Sequence, residues 1–330
     1  MREMKKKTVF SGMRPTGKLH LGHWVGALSN WVKLQDQYRC FFSVVDWHAF
    51  MSEYKDPSKI KANAFDNVCD WLAYGLDPER SVIFIQSHVP AHLELEMILS
   101  ALVPLGWLFR CPTFKEQIKQ LKDKEINTYA FLGYPVLQCS DIILYNTHFV
   151  PVGDDQLPHL ELCREVVRRF HSLYKCDIFI EPQAILTPTP RLLGLDGRKM
   201  SKSYQNYIEL CEEEKSLGQK VLSMFTDPAR KKKNDPWHPD ICNVFSYHVI
   251  FSPEIKDQVR DWCVNAKKGC RECKSVLLKA LEDFIAPRRE KKRNILKKKS
   301  FIEDILNEGS KTANKVSGET LIKAKNVLGL

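Results

Sequence analysis

The sequence predicts an α/β protein, a doubly wound parallel sheet in its first part followed by a mostly helical second domain. Short runs of β-branched and aromatic residues, TVFSG, CFFSVVD and SVIFIQS, alternate with longer helical patterns through the first half of the chain. That alternation is the sequence form of parallel strands joined by crossover helices. Strand signals fade from about residue 207, and one helical pattern then follows another. A chain of 330 residues, 44% hydrophobic and 27% charged, is long enough for two domains and a sizeable core. The domains are expected over 1–206 and 207–330.

TVFSG is the first strand. HWVGALSNWVKLQ follows as a helix, with Trp24, Ala27, Leu28, Trp31, Val32 and Leu34 at helical spacing. After the strand CFFSVVD, PSKIKANAFDNVCDWLAYGL opens with Pro57, a residue suited to a helix start. SVIFIQS is the third strand. LGYPVLQCSDIILYN reads as an apolar helix, VPVGDDQ as a Gly-Asp-rich loop, LPHLELCREVVRRF as an amphipathic helix and EPQAILTPTPRLLG as a Pro-rich connector. Beyond it, IELCEEEKSLGQKVLSMF, the segment after Pro253, CKSVLLKALEDFIAP and KTANKVSGETLIKAKNVL all read as helices. Basic runs at Arg230–Lys233, Arg288–Arg293 and Lys297–Lys299 read singly as solvated helix faces.

Fifty Lys and Arg against 40 Asp and Glu give a net charge of +10, a surplus that suits a phosphate-bearing partner such as RNA. The basic start MREMKKKTVFSG has no apolar run of signal-peptide length, and no segment approaches a membrane span, so a cytoplasmic protein without membrane contact is expected. Of 11 cysteines, seven sit singly in apolar or mixed stretches, where a small buried hydrophobe is the default. The other four, Cys242, Cys263, Cys270 and Cys273, fall within 32 residues and read as metal ligands before they read as disulfides. Only Cys270 and Cys273 form a tight C-x-x-C pair, and they lie in the polar stretch KKGCRECK. Zinc and a [4Fe–4S] cluster both accept four thiolates, so spacing leaves both open.

Two motifs carry chemistry. In GLDGRKMSKSYQN, Lys199 and Lys202 bring two ammonium groups onto one Gly-flanked loop, with hydroxyls at Ser201 and Ser203. Alone, that pattern suits a solvated turn as well as a phosphate clamp. Just after the first strand, SGMRPTGKLHLGHWVGAL has a turn shaped by Pro15 and Gly17, then His20, Gly22 and His23 at a helix start. Free amides and the helix dipole there suit an anion, and the missing Cβ of Gly22 lets a nucleoside approach the backbone.

PTGKLHLGH followed well downstream by KMSKS resembles the paired signature of class I aminoacyl-tRNA synthetases. FSGMRPTGKLHLGH, VVDWHA, FIQSHVPAH, YPVLQCSDIILYN, VPVGDDQ and KMSKS, in this order, resemble the tryptophanyl members of that class along nearly the whole chain. The resemblance implies a Rossmann-like catalytic domain, a helical anticodon-binding domain and two-step chemistry: tryptophanyl-AMP forms from tryptophan and ATP with Mg²⁺, then the acyl group passes to tRNA(Trp). Arg14, Pro15, Thr16, Gly22, His23, Gly153, Asp154, Asp155, Leu192, Met200, Ser201 and Ser203 would border ATP. Lys199, Lys202, His20 and His23 would stabilise phosphate charge. Asp141 would accept the indole N–H, a reading its chemistry suits because indole offers one donor and no acceptor. Phe10, Val150 and Val152 would wall the pocket, and Tyr134, Gln138, Gln156 and His48 would surround the ammonium and carboxylate. The chain departs from common members at Arg14, His23 and Gln138. A homodimer is implied, as is a [4Fe–4S] cluster on the four cysteines, since a subset of the family carries a similar arrangement. A small-molecule nucleotidylyltransferase would leave the basic helical domain without purpose, and a non-catalytic RNA-binding protein would not be expected to keep both motifs.

Overall fold

The computed structural model describes residues 6–111, 125–186, 192–198, 200–227, 235 and 238–330. They fall into two compact units: one built from residues 1–18, 29–188 and 298–330, the other from 19–28 and 189–297.

In the first unit, β1 (Thr8–Met13), β2 (Arg39–Val44), β3 (Ser81–Ile85), β4 (Phe149–Val152) and β5 (Gln183–Leu186) form a parallel sheet in the order β3-β2-β1-β4-β5. The three expected strands are β3, β2 and β1. The other two were not expected as strands: β4 includes the Val-Pro-Val of the anticipated loop, and β5 lies inside the Pro-rich connector. The order reverses between β1 and β4. In such sheets, ligands enter beyond the carboxyl ends of the strands at that switch point. Arg14–Thr16 follow β1 and Gly153–Asp155 follow β4, so the topology brings these two segments to the same end of neighbouring strands.

Strand β2 is buried on both faces, as a central parallel strand must be. Phe42 stacks on Trp31 at 4.6 Å, and Trp71 meets Trp31 edge-on at 5.2 Å. On the opposite face, Phe41 and Phe10 stack on Tyr145 at 4.6 and 5.4 Å. Tyr145 follows the helix Tyr129–Ile143, whose N-cap Thr128 accepts the Phe131 N–H.

The last helix, Lys299–Leu328, falls in this unit. Its buried residues Ile302, Leu306, Gly309, Ala313 and Leu321 face the sheet, and it packs on β3 and on the helix Ala91–Ser100. At Gly309 an added Cβ would lie 1.8 Å from the Ile83 carbonyl oxygen, so only glycine permits this approach. Periodicity identifies this helix but cannot say which surface its apolar stripe covers, which is why the units differ from a boundary at 206.

In the second unit, Glu214–Ser223 and Asn243–Phe251 both pack on the long helix Cys270–Leu296, whose Leu277, Leu281 and Ile285 form a fully buried i, i+4, i+8 stripe. The basic run Arg288–Arg293 is not simply a solvated face. Arg289 and Lys292 turn inward, and the Arg289 guanidinium donates to the Glu282 carboxylate and the Glu212 carbonyl. Arg230–Lys233 lies outside the described residues. Among the described residues, no helix is long and apolar enough to cross a membrane.

Candidate active site

Asp141 is the centre of a buried polar network in the first unit. It sits in the last turn of Tyr129–Ile143 and is 2% exposed. Its Oδ1 accepts from Gln86 Nε2 at 2.7 Å and His92 Nδ1 at 2.6 Å, and its Oδ2 from His48 Nε2 at 2.9 Å. Burial alone would raise the Asp141 pKa. The neighbouring His92 and His48 outweigh it and hold the carboxyl below its ordinary value. The side chain is therefore an ionised acceptor. A carboxylate offers about four acceptor positions, so three donors leave room for one more, on Oδ2.

Phe10, Val150 and Val152 are buried nearby in the same core cluster. His48, expected beside the amino-acid head group, donates to Asp141, with its ring centroid 6.4 Å from that of Tyr134. The Tyr134 hydroxyl meets His159 Nε2 at 3.0 Å, and His159 Nδ1 meets Gln138 Oε1 at 2.9 Å. Burial, with a smaller contribution from His48, brings the His159 pKa down to about 4. The neutral ring then donates from Nδ1 to Gln138 and accepts the Tyr134 O–H at Nε2. Gln156 closes the short 3₁₀ turn Asp154–Gln156 and donates to Asp155 at 3.2 Å; Asp154 and Asp155 are exposed.

The sequence reading gave no role to His92, Gln86, Tyr145 or His159. The first two lie within or beside FIQSHVPAH, but their partner is about 50 residues away, and no local pattern reports that distance. His159 carried a weaker signal, a lone histidine in an amphipathic helix.

In the second unit, His20 and His23 stand with ring centroids 3.8 Å apart, and the His20 N–H donates to His23 Nδ1 at 3.1 Å. A Cβ on Gly22 would lie 2.9 Å from the His20 ring and 3.2 Å from Met200 Sδ, so glycine here also keeps these groups together. Burial and the positive charge of Lys202 push the His20 pKa down to about 3, and burial, His20 and Lys202 hold His23 well below its ordinary value. Both imidazoles are thus neutral, and the two motifs share one electrostatic neighbourhood. His20 Nδ1 is buried without a hydrogen-bond partner among the described residues. Ser201 is tied down by its N–H to Asn206 Oδ1 at 2.8 Å, and Asn206 donates in turn to Asp196 at 2.7 Å. Lys202 opens the 3₁₀ turn Lys202–Tyr204. Leu192 and Met200 are buried; Lys199 and the Ser203 side chain lie outside what is described.

The depressed His20 pKa makes a stability prediction. Folded, the ring binds a proton only near pH 3; unfolded, near 6.5. Its contribution is full above about pH 6.5 and is lost as pH falls towards 3, at up to about 1.4 kcal/mol per pH unit. His20→Gln should flatten the loss of unfolding free energy between pH 6.5 and 4, measured by urea denaturation. An unchanged slope would remove His20 as the source.

The four clustered cysteines come together in this unit. Cys242 precedes the helix Asn243–Phe251, Cys263 ends Lys256–Val264, and Cys270 and Cys273 occupy the first turns of Cys270–Leu296. All four line one pocket with Thr226, Val244, Trp262, Lys268 and Gly269. Cys273 is buried despite its polar sequence setting. Burial and then the other three thiols push its pKa up to about 12. His248 Nε2 lies 3.5 Å from its sulfur. Among the described residues, no three His, Cys, Asp or Glu side chains are arranged to hold a metal ion.

A parallel sheet with this switch point and these two motifs defines a class, and comparison with known proteins gives the same one. Residues 2–286 match the family model for class I tRNA synthetases of the tryptophan and tyrosine type, and the chain belongs to that family. It is 47% identical over 325 residues to the tryptophan–tRNA ligase of Thermotoga maritima, covering 98% of this chain and 99% of that one. It is 39% identical to the ligase of Aquifex aeolicus, over 98% and 99% of the two chains. The crystal structure of the Campylobacter jejuni tryptophanyl-tRNA synthetase complexed with ADP and tryptophan superposes with a TM-score of 0.88 at 31% identity, covering 98% of this chain and all of that one. The chain accordingly catalyses tryptophan–tRNA ligation: ATP-dependent activation of tryptophan and its transfer to the tRNA 3′ end.

Proposed function

We propose that Asp141 selects tryptophan by accepting the indole N–H at the open position on Oδ2. The observation that carries this reading is the triple donation from Gln86, His92 and His48, which keeps a buried carboxylate ionised and oriented. Phe10, Val150 and Val152 wall the indole, while Tyr134, Gln138, Gln156 and His48 set the head-group end. Arg14–Thr16 and Gly153–Asp155 border ATP at the switch point, where ligands enter such sheets. In the second unit, Gly22, Leu192, Met200, Ser201 and Ser203 line the nucleotide. His20, His23, Lys199 and Lys202 meet phosphate oxygens alongside Mg²⁺, and the unpartnered His20 Nδ1 supports the histidine role. Catalysis is positioning and charge stabilisation, with no protein nucleophile.

Replacing the indole N–H by sulfur tests the selection step. Tryptophan-dependent ATP–pyrophosphate exchange with β-(3-benzothienyl)alanine should fall by roughly 10⁴-fold in kcat/KM, because it leaves a buried acceptor unpaired. Equal use of the two amino acids would remove the indole contact.

We also propose that Cys242, Cys263, Cys270 and Cys273 hold a [4Fe–4S] cluster. The donor set fits: four soft thiols and no carboxylate line one pocket, two of them on the first turns of a long helix, whose dipole favours thiolate. Such a cluster would organise the surface of the helical region that meets the anticodon. Zinc is the competing occupant. Anaerobically purified protein should contain about four iron and four sulfide per chain; one zinc and no iron after anaerobic reconstitution decides for zinc. By the family resemblance, the protein is read as a cytoplasmic homodimer.

A further inference from the structure

The Asp141 network contains a group that touches no proposed substrate atom yet fixes the orientation of the one that does. His92 is fully buried, and both ring nitrogens are used: Nδ1 on Asp141 Oδ1 at 2.6 Å and Nε2 on the Tyr145 hydroxyl at 2.7 Å. Its backbone carbonyl accepts from Ser140 Oγ at 2.7 Å, which anchors it to the turn of helix that carries Asp141. Tyr145 is itself held by stacking against Phe10 and Phe41.

We propose that His92 is a positioning residue for amino-acid selection, clamping Asp141 Oδ1 so that the open acceptor position falls on Oδ2, where the indole N–H arrives. The proposal rests on the reading of Asp141 as the indole acceptor. The tautomer follows from the network. Ionised Asp141 only accepts, so His92 Nδ1 carries a proton and donates. Burial and the charge of Asp141 push the Tyr145 pKa well up, so its hydroxyl keeps its proton and donates to Nε2. The order Tyr145 O–H to His92 to Asp141 thus runs in one direction and polarises the last bond. Gln86 supplies the second hold on Oδ1, itself oriented by the Trp47 N–H on its Oε1 at 3.2 Å. Two donors on Oδ1 and one on Oδ2 fix the plane of the carboxylate, and with it the direction of the open position, which a single donor would leave free to rotate.

The test uses the full-length enzyme, with tryptophan and its benzothienyl isostere compared in ATP–pyrophosphate exchange. His92→Leu removes both hydrogen bonds at similar volume. It should raise KM for tryptophan roughly tenfold or more, since a hydrogen bond to a charged group is lost, with KM for ATP unchanged. It should also narrow the preference for tryptophan over the isostere. His92→Asn, whose amide N–H can stand where Nδ1–H stood, should recover most of both. The acid limb of kcat/KM for tryptophan should move to higher pH in His92→Leu, because the hydrogen bond from His92 that helps lower the Asp141 pKa is gone. If His92→Leu does not fold, Tyr145→Phe carries the same comparison with a smaller expected narrowing. A parent enzyme that fails to discriminate the isostere overturns the Asp141 reading itself. A discriminating parent whose preference survives in His92→Leu, or a His92→Asn as impaired as His92→Leu, overturns the positioning role alone.

Discussion

Asp141→Ala is expected to lower kcat/KM for tryptophan by roughly 10⁴-fold while leaving KM for ATP nearly unchanged. A site built to pair a polar group discriminates by about that factor when the partner is missing, because a buried group is left unsatisfied. Here the loss is compounded. The carboxylate also accepts from Gln86, His92 and His48, so removing it strands three buried donors in addition to the proposed indole contact. The substitution should therefore lower thermal stability as well as tryptophan use. Asp141→Asn keeps one acceptor oxygen but introduces an N–H2 group that faces donors, and should retain stability better than activity. Trp-dependent pyrophosphate exchange at saturating ATP reads the first effect and calorimetry the second. Undiminished exchange by a folded Asp141→Ala enzyme would take Asp141 out of the pocket.

Lys202→Ala should slow adenylate formation by on the order of a hundredfold, about 3 kcal/mol, with tryptophan affinity intact. In the proposed role, the contact strengthens as charge builds on the departing pyrophosphate, so its loss falls on the chemical step. A second readout is independent of turnover. Lys202 helps depress His20 and His23, and its removal should raise the His20 pKa from about 3. Single-turnover adenylation and an NMR pH titration of the imidazole measure the two. An unchanged single-turnover rate would exclude Lys202 from charge stabilisation, whatever the histidine does.

What the sequence revealed and what it hid divide along range of interaction. The three central strands announce themselves because burial on both faces demands unbroken apolar runs such as CFFSVV. Strands β4 and β5 are four residues each and interrupted or flanked by proline, so FVPV and QAIL read as loop. H-x-G-H and KMSKS are legible because their chemistry is written in adjacent residues. The partners of Asp141 are not, since His48 and His92 are 93 and 49 positions away. Arg289 shows the same limit: inside RREKKR it looks solvated, and its burial is explained by the Glu282 carboxylate two turns back together with the Glu212 carbonyl, 77 residues earlier.

The seat of the final helix on β3 also orders events during synthesis. Because Gly309 lets Lys299–Leu328 lie directly against the Ile83 backbone, the outer flank of β3 is completed by a segment made more than 200 residues after the strand itself. The unit formed by residues 19–28 and 189–297 has all its parts earlier. A nascent chain thus carries an uncovered edge strand through most of its translation, in the state most open to mispairing and capture by chaperones. Emergence of Lys299–Leu328, and not completion of the helical unit, is what ends that exposure.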